Sequence, residues 1–449
     1  MIIAKFGGTS LTTAKRIHTL CDIVKGERNK HPLVVVSALA GITNLLLSLP
    51  TVSETHQAKI LREIRKMHKL LIEEFFRKKP HQEEVMAYID EQLERLAAIA
   101  KKAKSDSLED FDTIASFGEI MSSFIVTRAL EEEGIKASQV IATDLIITNN
   151  TFGAAEFLPK PTAVRIKRVL QPMIKNGIVP VITGFIAATR DGKTTTLGRG
   201  GSDYTASILG FALRASEIQI WTDVDGIFTA DPRFVQNARL IPTISFKEAS
   251  ELATFGARVL HPRTIKPAIK AGIPVRVLNT LNPKGHGTSI VDNPELAIPV
   301  RAVCAKRNIP LVNIYSTEML LQKGFLARIF TVFAKHHISI DLVSVSEVSV
   351  SVTLDNDDRL SACVKELESF STVTTTKNQG IVSIIGSGIA KESFAISQIF
   401  DTLNRHNILV HMVSLGTTDI NISLVIENSK IEDAVRVLHD TIVVKGKHI

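Results

Sequence analysis

The first ten residues place two adjacent glycines between an apolar stretch and the start of a helix. The apolar run 1–4 is typical of a buried strand, and it is followed by Lys5-Phe6-Gly7-Gly8-Thr9-Ser10. A strand that ends in a glycine turn before a helix N-terminus presents backbone N–H groups that bind anions. Because glycine has no Cβ, Gly7 and Gly8 also let a ligand approach the main chain closely. The segment therefore predicts an anion site beside the charge of Lys5, or an ordinary strand-to-helix turn.

A second glycine-rich turn stands near the middle of the chain. It consists of Gly198-Arg199-Gly200-Gly201-Ser202-Asp203, and an apolar helical pattern follows it. This turn repeats the anion-binding arrangement and adds one cationic and one anionic side chain. Two such turns predict two ligands that carry phosphate or carboxylate groups.

Buried strands and amphipathic helices alternate along the chain up to residue 292. Runs rich in valine and isoleucine predict strands at 33–36, 137–141, 178–183, 217–221 and 273–277. Apolar residues at helical spacing predict helices at 52–79, 82–104 and 161–176. This alternation predicts an α/β fold in which helices sandwich a mostly parallel sheet, with 273–277 as its last strand. Two short β-rich runs around Asp191-Gly192 predict an additional hairpin.

Four polar segments stand at the ends of these elements. The loop 37–44 follows a buried strand, and the loop 222–233 follows another, where α/β folds place ligands. Residues 112–119 lead into a helix, and residues 255–262 open one. A glutamate at a helix start, such as Glu119, is either a site residue or a carboxylate stabilised by the helix dipole.

The pattern changes beyond residues 283–287. Residues 309–376 and 381–444 each follow the order strand, helix, strand, strand, helix, strand. This order predicts an internal repeat of two ferredoxin-like βαββαβ units. Such a pair either senses a small ligand or serves as a dimerisation module without a ligand.

Length, charge and cysteine content limit the classes of function that this chain can have. A chain of 449 residues predicts two or three domains. The formal net charge of +7 suits small anionic substrates, while the absence of a basic tract with interleaved aromatic residues argues against nucleic acid. We find no membrane-length apolar run, and we expect no signal peptide because the first residues lack its charged, apolar and small-residue regions. The three cysteines lack paired spacing, so we expect a cytoplasmic protein without a zinc site or disulfide framework.

Six segments taken together resemble one enzyme family. They are 5–10, 37–44, 117–119, 198–203, 221–233 and 255–262. In this order and approximate spacing they are similar to the aspartate kinases of the amino-acid kinase fold. The resemblance is stronger to the monofunctional, lysine-sensitive type with two C-terminal ACT domains, and it covers nearly the whole chain.

The resemblance implies a role for individual residues. Lys5 and Asp203 match catalytic positions. The aspartate pocket is matched by Thr43, Glu119, Arg199 and Ser202. The positions that bind ATP are matched by Lys5, Gly7, Gly8, Thr222, Asp223, Phe228, Arg233 and Arg258. ATP with Mg²⁺ is the implied cofactor, and no residue is assigned as a dedicated metal ligand. Three positions depart from the family, where Lys is common at 258, Tyr at 228 and Pro at 225.

The resemblance also implies an effector site for lysine in the first repeat. Its residues are Met319, Gly324, Phe325, Leu326, Ile340, Asp341, Ser346 and Glu347. We expect 340–341 and 346–347 to lie on neighbouring strands, where Asp341 and Glu347 receive the two ammonium groups of lysine. Phe325 and Met319 then cover its aliphatic stem. Alternatively, Asp341 and Glu347 are solvated charges at strand ends.

The implied activity is phosphorylation of the L-aspartate side-chain carboxylate to 4-phospho-L-aspartate. This is the first step of biosynthesis of lysine with diaminopimelate, threonine and methionine, and the resemblance implies feedback inhibition by L-lysine. The implied domains are a kinase domain 1–292, an effector-binding ACT domain 308–377, and a second ACT domain formed by 298–307 plus 378–449. We expect a homodimer or larger assembly through the ACT domains. The alternatives are a kinase for another amino-acid carboxylate and a catalytically dead amino-acid sensor.

Overall fold

The computed structural model describes the chain in two compact units. The described residues are 1–256, 260–294, 300–320, 322–355, 358–389, 393–415 and 420–444. The first unit contains residues 1–227, 242–246 and 259–293, and the second contains 228–241, 247–258 and 294–449.

An eight-stranded sheet forms the centre of the first unit. Its strands, in chain order, are β1 Ile2–Phe6, β2 Pro32–Val36, β3 Ala137–Val140, β4 Val179–Thr183, β7 Glu217–Thr222, β8 Thr243–Ser245, β9 Val275–Asn279 and β10 Thr288–Val291. Their order across the sheet is β3-β4-β2-β1-β7-β9-β10-β8. Neighbouring strands are parallel except for the antiparallel pair β9 and β10. The mostly parallel sheet is thus confirmed, and the prediction that 273–277 is the last strand is wrong.

Helices cover this sheet because its central strands are apolar on both faces. Every residue of β1, β2 and β4 is buried, as expected for a parallel sheet between two helical layers. The helices are α1 Ala14–Gly26, α2 Ile42–Ser48, α3 Glu54–Phe75, α4 Lys79–Ala100, α5 Leu108–Glu132, α6 Pro159–Lys175, α7 Gly201–Leu213 and α9 Lys266–Ala271. None of the described helices is long and apolar enough to span a membrane.

Of two local predictions in the first unit, one is confirmed and the other is wrong. The hairpin around Asp191-Gly192 is confirmed, as β5 Ile186–Ala188 pairs antiparallel with β6 Thr194–Thr196. The expected helix start at 112–119 is wrong, because α5 begins at Leu108 and residues 112–119 lie inside it. Ser107 caps this helix by accepting a hydrogen bond from Asp110 N at 3.2 Å.

A six-stranded antiparallel sheet forms the centre of the second unit. Its strands are β11 Ala302–Tyr315, β12 Ile340–Val345, β13 Ser349–Leu354, β14 Thr372–Ile385, β15 Val410–Leu415 and β16 Asn421–Glu427. Their order is β12-β13-β11-β14-β16-β15. The helices of this unit are α8 Phe246–Thr254, α10 Phe325–Lys335, α11 Leu360–Leu367, α12 Ser393–Arg405 and α13 Ile431–Leu438. The long strands β11 and β14 pair along both repeats, with register shifts between Lys306 and Leu311.

The predicted repeat is present, but its second copy ends differently. Residues 439–444 form a helical turn of the π type after α13, where we expected a final strand. The first part of β11, which pairs with Ile381–Ile385 of β14, provides a strand for the second repeat. The expected strand order within 381–444 is therefore wrong at its last element. The predicted helix opening in 255–262 is not observed at Phe255 and Gly256, which follow α8 as a turn, and residues 257–259 lie outside the described residues.

Candidate active site

An ion pair joins the two glycine-rich turns that the sequence singles out. Lys5 lies in β1, and Asp203 lies in the first turn of α7. Lys5 Nζ is 2.6 Å from Asp203 Oδ1, and the two side chains are 11% and 12% exposed. A lysine held this way presents a fixed positive charge at the end of a buried strand. The structure thus brings the two predicted catalytic residues together.

The two glycines after β1 pack closely against their neighbours beside this lysine. A Cβ on Gly8 would lie 2.5 Å from Ala38 O, a distance that no side chain can occupy. Gly7 N donates to Trp221 O at 3.1 Å, and a Cβ on Gly7 would lie 3.6 Å from Lys5 Nζ. Residues 8–11 form a 3₁₀ turn, and α1 starts only after it. The turn is therefore tightly packed against the loop that follows β2.

Glu119 lies in the middle of α5 and is buried, with 3% exposure. Its Oε1 accepts a hydrogen bond from Ala38 N at 3.1 Å. Its Oε2 is buried and has no hydrogen-bond partner within the described part of the chain. Burial raises the pKa of Glu119 to about 8, against the smaller lowering effect of the Ala38 N–H. A carboxylate of this kind favours a cationic partner.

Two serines connect Glu119 to the second glycine turn. Ser37 Oγ donates to Ser202 Oγ at 2.9 Å, which places a predicted aspartate-pocket residue beside the 37–44 loop. Ser122 Oγ, from the same helix as Glu119, donates to Ser37 O at 2.7 Å. Sequence reasoning gave Ser122 no role, although it stands one helical turn after Glu119, a spacing that places both on one face.

The remaining two residues predicted to bind aspartate are more exposed. Arg199 is exposed and stands between Gly198 and Gly200, whose φ angles are +76° and +69°. The pKa of His261 is lowered mainly because the ring is partly buried, and also because the positive charges of Arg199 and Arg263 act on it. Thr43 is half-buried at the start of α2. The predicted pocket residues of the first unit thus lie in α2, in α5, in the turn before α7 and in the first turn of α7.

Two of the predicted nucleotide residues lie where β7 ends. Thr222 Oγ1 donates to Asp223 Oδ1 at 3.2 Å, and Asp223 is exposed. Asp225, one of the three departures from the family, accepts hydrogen bonds from Asn279 Nδ2 at 3.0 Å and from Asn282 Nδ2 at 3.3 Å. Asp225 therefore fastens the loop after β7 to the end of β9.

Two further predicted nucleotide residues, Phe228 and Arg233, belong to the second unit. Phe228 forms an isolated antiparallel bridge with Leu240. Arg233 is highly exposed and pairs with Asp231 at 2.6 Å. Arg258 lies outside the described residues. Among the residues that the structure describes, no group of three or more His, Cys, Asp or Glu side chains is arranged to hold a metal ion.

The predicted effector residues divide between a buried core and an exposed turn. Phe325 is 4% exposed and meets Phe370 edge to face at 5.6 Å, so its ring belongs to the core of the first repeat. Met319 is partly buried and packs against the same core. Gly324 precedes α10 with a φ of +88°, and Leu326 is 37% exposed.

The two predicted effector acids have different surroundings. Asp341 is largely buried in β12, and Lys306 Nζ lies 2.5 Å from its Oδ2. Burial raises the pKa of Asp341, while Lys306 opposes that rise. Ser346 and Glu347 lie in the turn between β12 and β13, and Glu347 is exposed. The expectation that 346–347 lie on a neighbouring strand is therefore wrong.

Comparison with known proteins identifies both parts of the chain. The amino acid kinase family model matches residues 1–279, and the ACT domain model matches residues 312–368 and 382–442. The lysine-sensitive aspartokinase 3 of Escherichia coli K12 is 37% identical over 98% of this chain and 99% of its own. The crystal structure of E. coli aspartokinase III in complex with aspartate and ADP matches with a TM-score of 0.87 at 35% identity, covering 99% of this chain and 100% of that one. The structure of the same enzyme with lysine and aspartate matches with a TM-score of 0.84 at 36% identity, over 98% and 99%.

These comparisons confirm the resemblance, the fold class and the enzyme class expected from the sequence. The amino acid kinase match covers the unit that contains Lys5, Glu119 and Asp203, and the ACT matches cover both predicted repeats. The identities extend over nearly the full length of the chain. The chain therefore belongs to the amino acid kinase family and, within it, to the aspartokinases.

Proposed function

We propose that the buried Glu119 carboxylate and the Lys5–Asp203 ion pair form the two ends of one site, which transfers the γ-phosphoryl group of ATP to L-aspartate. The observation that carries this proposal is the surroundings of Glu119. A buried carboxylate with one oxygen held by Ala38 N and the other unpartnered within the described residues fits the α-ammonium group of an amino acid. Ser37 and Ser202 connect it to the turn that bears Asp203.

The opposite end of the amino acid is assigned to Arg199. Its guanidinium group can hold the α-carboxylate through two parallel hydrogen bonds. Thr43 and Ser202 add hydroxyl groups to the same pocket. Together with Glu119 this set recognises a zwitterion, which favours an amino-acid substrate over a nucleotide acceptor.

Transfer needs positioning and charge stabilisation more than proton transfer. The side-chain carboxylate of aspartate is ionised at neutral pH and attacks the γ-phosphorus without a general base. Lys5 and the amides after β1 stabilise the negative charge of the phosphoryl oxygens, and Asp203 holds Lys5 in place at 2.6 Å. The product is an acyl phosphate, so a site that excludes water protects it.

Magnesium fits the site as an ion that arrives with the nucleotide. Mg²⁺ in kinases is held by one or two carboxylates together with substrate phosphates. The carboxylate of Asp203, beside Lys5 at the end of β1, suits this arrangement. Bound there, Mg²⁺ would neutralise phosphate charge. Thr222, Asp223, Phe228, Arg233 and Arg258 are assigned to the nucleotide itself, with Gly7 and Gly8 next to its phosphates.

The experiment is a coupled assay of ATP consumption with L-aspartate, with L-glutamate and with no acceptor. We expect turnover with aspartate alone. Glu119→Gln should raise KM for aspartate far more than KM for ATP, because it removes the anion that faces the ammonium group. Turnover with glutamate would identify another carboxylate kinase, and the absence of turnover with either would favour a sensor. An equal rise in both KM values would assign Glu119 to the fold.

We propose that the first ACT repeat regulates this activity by binding L-lysine. The proposed domains are a kinase domain 1–292, this effector-binding ACT domain 308–377, and a second ACT domain formed by 298–307 plus 378–449. Gly324 and the first amides of α10 suit the α-carboxylate of lysine, and the exposed Glu347 suits an ammonium group. Asp341 can take part only by sharing its carboxylate with Lys306. The buried Phe325 ring is proposed to form the inner wall of the lysine site. The other residues proposed for this site are Met319, Leu326, Ile340 and Ser346.

A homodimer through the ACT repeats is the assembly that the exposed apolar residues support. Val343 and Val345 on β12 are 37% and 50% exposed, and Val413 and Leu415 on β15 are 38% and 48% exposed. Both are edge strands of the six-stranded sheet, and a second copy would cover them. Val345→Asp should shift the mass in light scattering towards the monomer, whereas a wild-type monomer with and without lysine would refute this assembly.

The buried free cysteines Cys21, Cys304 and Cys363 suit the cytoplasm, where we propose that the enzyme acts.

A further inference from the structure

Asp112 is a second buried carboxylate on the helix that carries Glu119. It lies about two helical turns before Glu119, on the same face of α5, and it is 3% exposed. Its Oδ1 accepts a hydrogen bond from Thr196 Oγ1 at 2.6 Å. Its Oδ2 accepts from Thr196 N at 2.9 Å and from Gly153 N at 2.8 Å. Asp112 thus fastens two other segments to α5.

The fastened segments lead directly to Arg199. Thr196 is the last residue of β6, and the glycine turn with Arg199 begins two residues later. A Cβ on Gly198 would lie 3.3 Å from Ala154 Cβ, so the turn packs against the residue that follows Gly153. Asp112 thus accepts hydrogen bonds from Thr196, two residues before Gly198, and from Gly153, the residue before Ala154. We call these two residues the base of the turn.

The backbone on either side of Arg199 is intrinsically flexible. Its side chain is exposed, and it stands between two glycines in left-handed conformations, which are the residues with the greatest backbone freedom. A flexible arginine on a mobile turn would lose conformational entropy on binding a ligand. A turn whose base is fixed loses less.

We propose that Asp112 is a positioning residue that holds the Arg199 turn at a fixed separation from the Glu119 carboxylate. The inference rests on the proposed roles of Glu119 and Arg199 in binding the two ends of aspartate. Asp112 itself does not touch the substrate. Its effect arises because α5 carries both Glu119, which binds the ammonium group, and Asp112. Asp112 in turn anchors the turn that bears Arg199, which binds the carboxylate.

The anchor requires an acceptor group at position 112. Asp112 accepts hydrogen bonds from two backbone N–H groups through Oδ2 and from one hydroxyl through Oδ1. Alanine removes both oxygens and leaves the two backbone N–H groups without this partner, whereas asparagine can keep both backbone bonds through its Oδ1 and donate its NH₂ group to the Thr196 hydroxyl. The base of the turn would shift in the alanine variant, and small displacements of positioning groups have large effects on substrate use.

The test is steady-state kinetics of the full-length enzyme with aspartate and ATP varied separately. Asp112→Ala should raise KM for aspartate about 10-fold while KM for ATP stays within about twofold, and Asp112→Asn, which can keep both backbone bonds, should raise KM for aspartate less. Thr196→Val removes only the hydroxyl bond and should give a smaller rise in the same direction. Thr196→Ser keeps the hydroxyl and should restore wild-type KM for aspartate.

Thr195→Val is the matched control on the same strand. Thr195 Oγ1 shares a buried hydrogen bond of 2.8 Å with Thr148 Oγ1, and this bond does not involve Asp112. We expect the control to lower the melting temperature as Thr196→Val does and to leave KM for aspartate unchanged. An equal rise in KM in the control would assign the effect to general loosening and would overturn the positioning role.

The proposed function and the positioning role fail in different ways. If Arg199→Ala raises KM for aspartate while the Asp112 and Thr196 variants do not, only the positioning role is wrong. If Arg199→Ala leaves KM for aspartate unchanged, the role of Arg199 is wrong and the positioning role falls with it. The Thr196 series decides the question when Asp112→Ala does not fold.

Discussion

The pKa of Glu119 gives a prediction that joins the stability of the protein to the binding of its substrate. Burial raises this pKa to about 8, whereas glutamate in an unfolded chain titrates near its model value of 4.5. The folded protein therefore holds the proton over a pH range in which the unfolded chain has released it. The stability that protonation provides is complete below the unfolded pKa and is lost as the pH rises through the folded pKa.

The magnitude follows from the separation of the two values. Each pKa unit is worth about 1.4 kcal/mol, so wild type should lose on the order of 3 kcal/mol from this group between pH 4.5 and pH 7. Glutamine has the shape of the protonated acid and cannot lose a proton. Glu119→Gln should therefore melt above wild type, by a margin that grows between pH 5.5 and pH 7.5. Differential scanning calorimetry of both proteins across this range measures the margin, and the other titrating groups cancel in the difference.

Substrate binding should reverse the protonation of Glu119. An ammonium group beside the carboxylate favours the ionised form, so aspartate binding at pH 7 should release a proton. Isothermal titration in two buffers of different ionisation enthalpy detects the release, and Glu119→Gln should abolish it and weaken binding by about 100-fold. A melting difference that does not change with pH, together with binding that releases no proton, would refute the reasoning.

Three further predictions concern the other parts of the site. Lys5→Ala should lower kcat on the order of 10³-fold with an unchanged fold by circular dichroism, and near wild-type turnover would contradict the role of the first glycine turn. Gly8→Ala should lose activity and about 1–3 kcal/mol of stability in urea unfolding, since its Cβ would lie 2.5 Å from Ala38 O; a stable, active variant would refute this close packing. L-lysine, and not L-threonine or L-methionine, should inhibit wild type, and Glu347→Ala should stay active at lysine concentrations that silence it. Unchanged lysine sensitivity in this variant would remove Glu347 from the effector site.

Sequence reasoning succeeded where one local pattern determines one structure. Buried valine runs such as 33–36 became strands because a parallel sheet covered on both faces tolerates only apolar residues. The hairpin at Asp191-Gly192 formed because its turn residues permit the required backbone geometry. The two glycine turns meet at Lys5 and Asp203, as their shared anion-binding chemistry suggests.

It failed where distant contacts decide the outcome. Glu119 looked like a helix-start residue because residues 112–119 were expected to lead into the helix, but Ser107 caps α5 and leaves Glu119 inside it. Asp112 looked equally unremarkable, since its partners Thr196 and Gly153 stand far along the chain. Asp341 resembled a free effector acid, while Lys306 from the preceding strand already contacts it. Such pairings depend on topology, which no local pattern contains.

The assignment of segments 228–241 and 247–258 to the second unit bears on regulation. Thr229 O accepts a hydrogen bond from Val303 N at 2.8 Å, and Thr229 Oγ1 lies 2.9 Å from His439 Nε2, so this segment is bound to the ACT repeats. Phe228, which the resemblance assigns to the nucleotide, directly precedes Thr229. If Phe228 contacts the nucleotide as the resemblance implies, one hydrogen-bonded residue separates it from β11 of the ACT sheet. An effector that binds one arrangement of this packed unit more tightly than another would then act on nucleotide use through this contact, because its influence equals the difference between its two affinities.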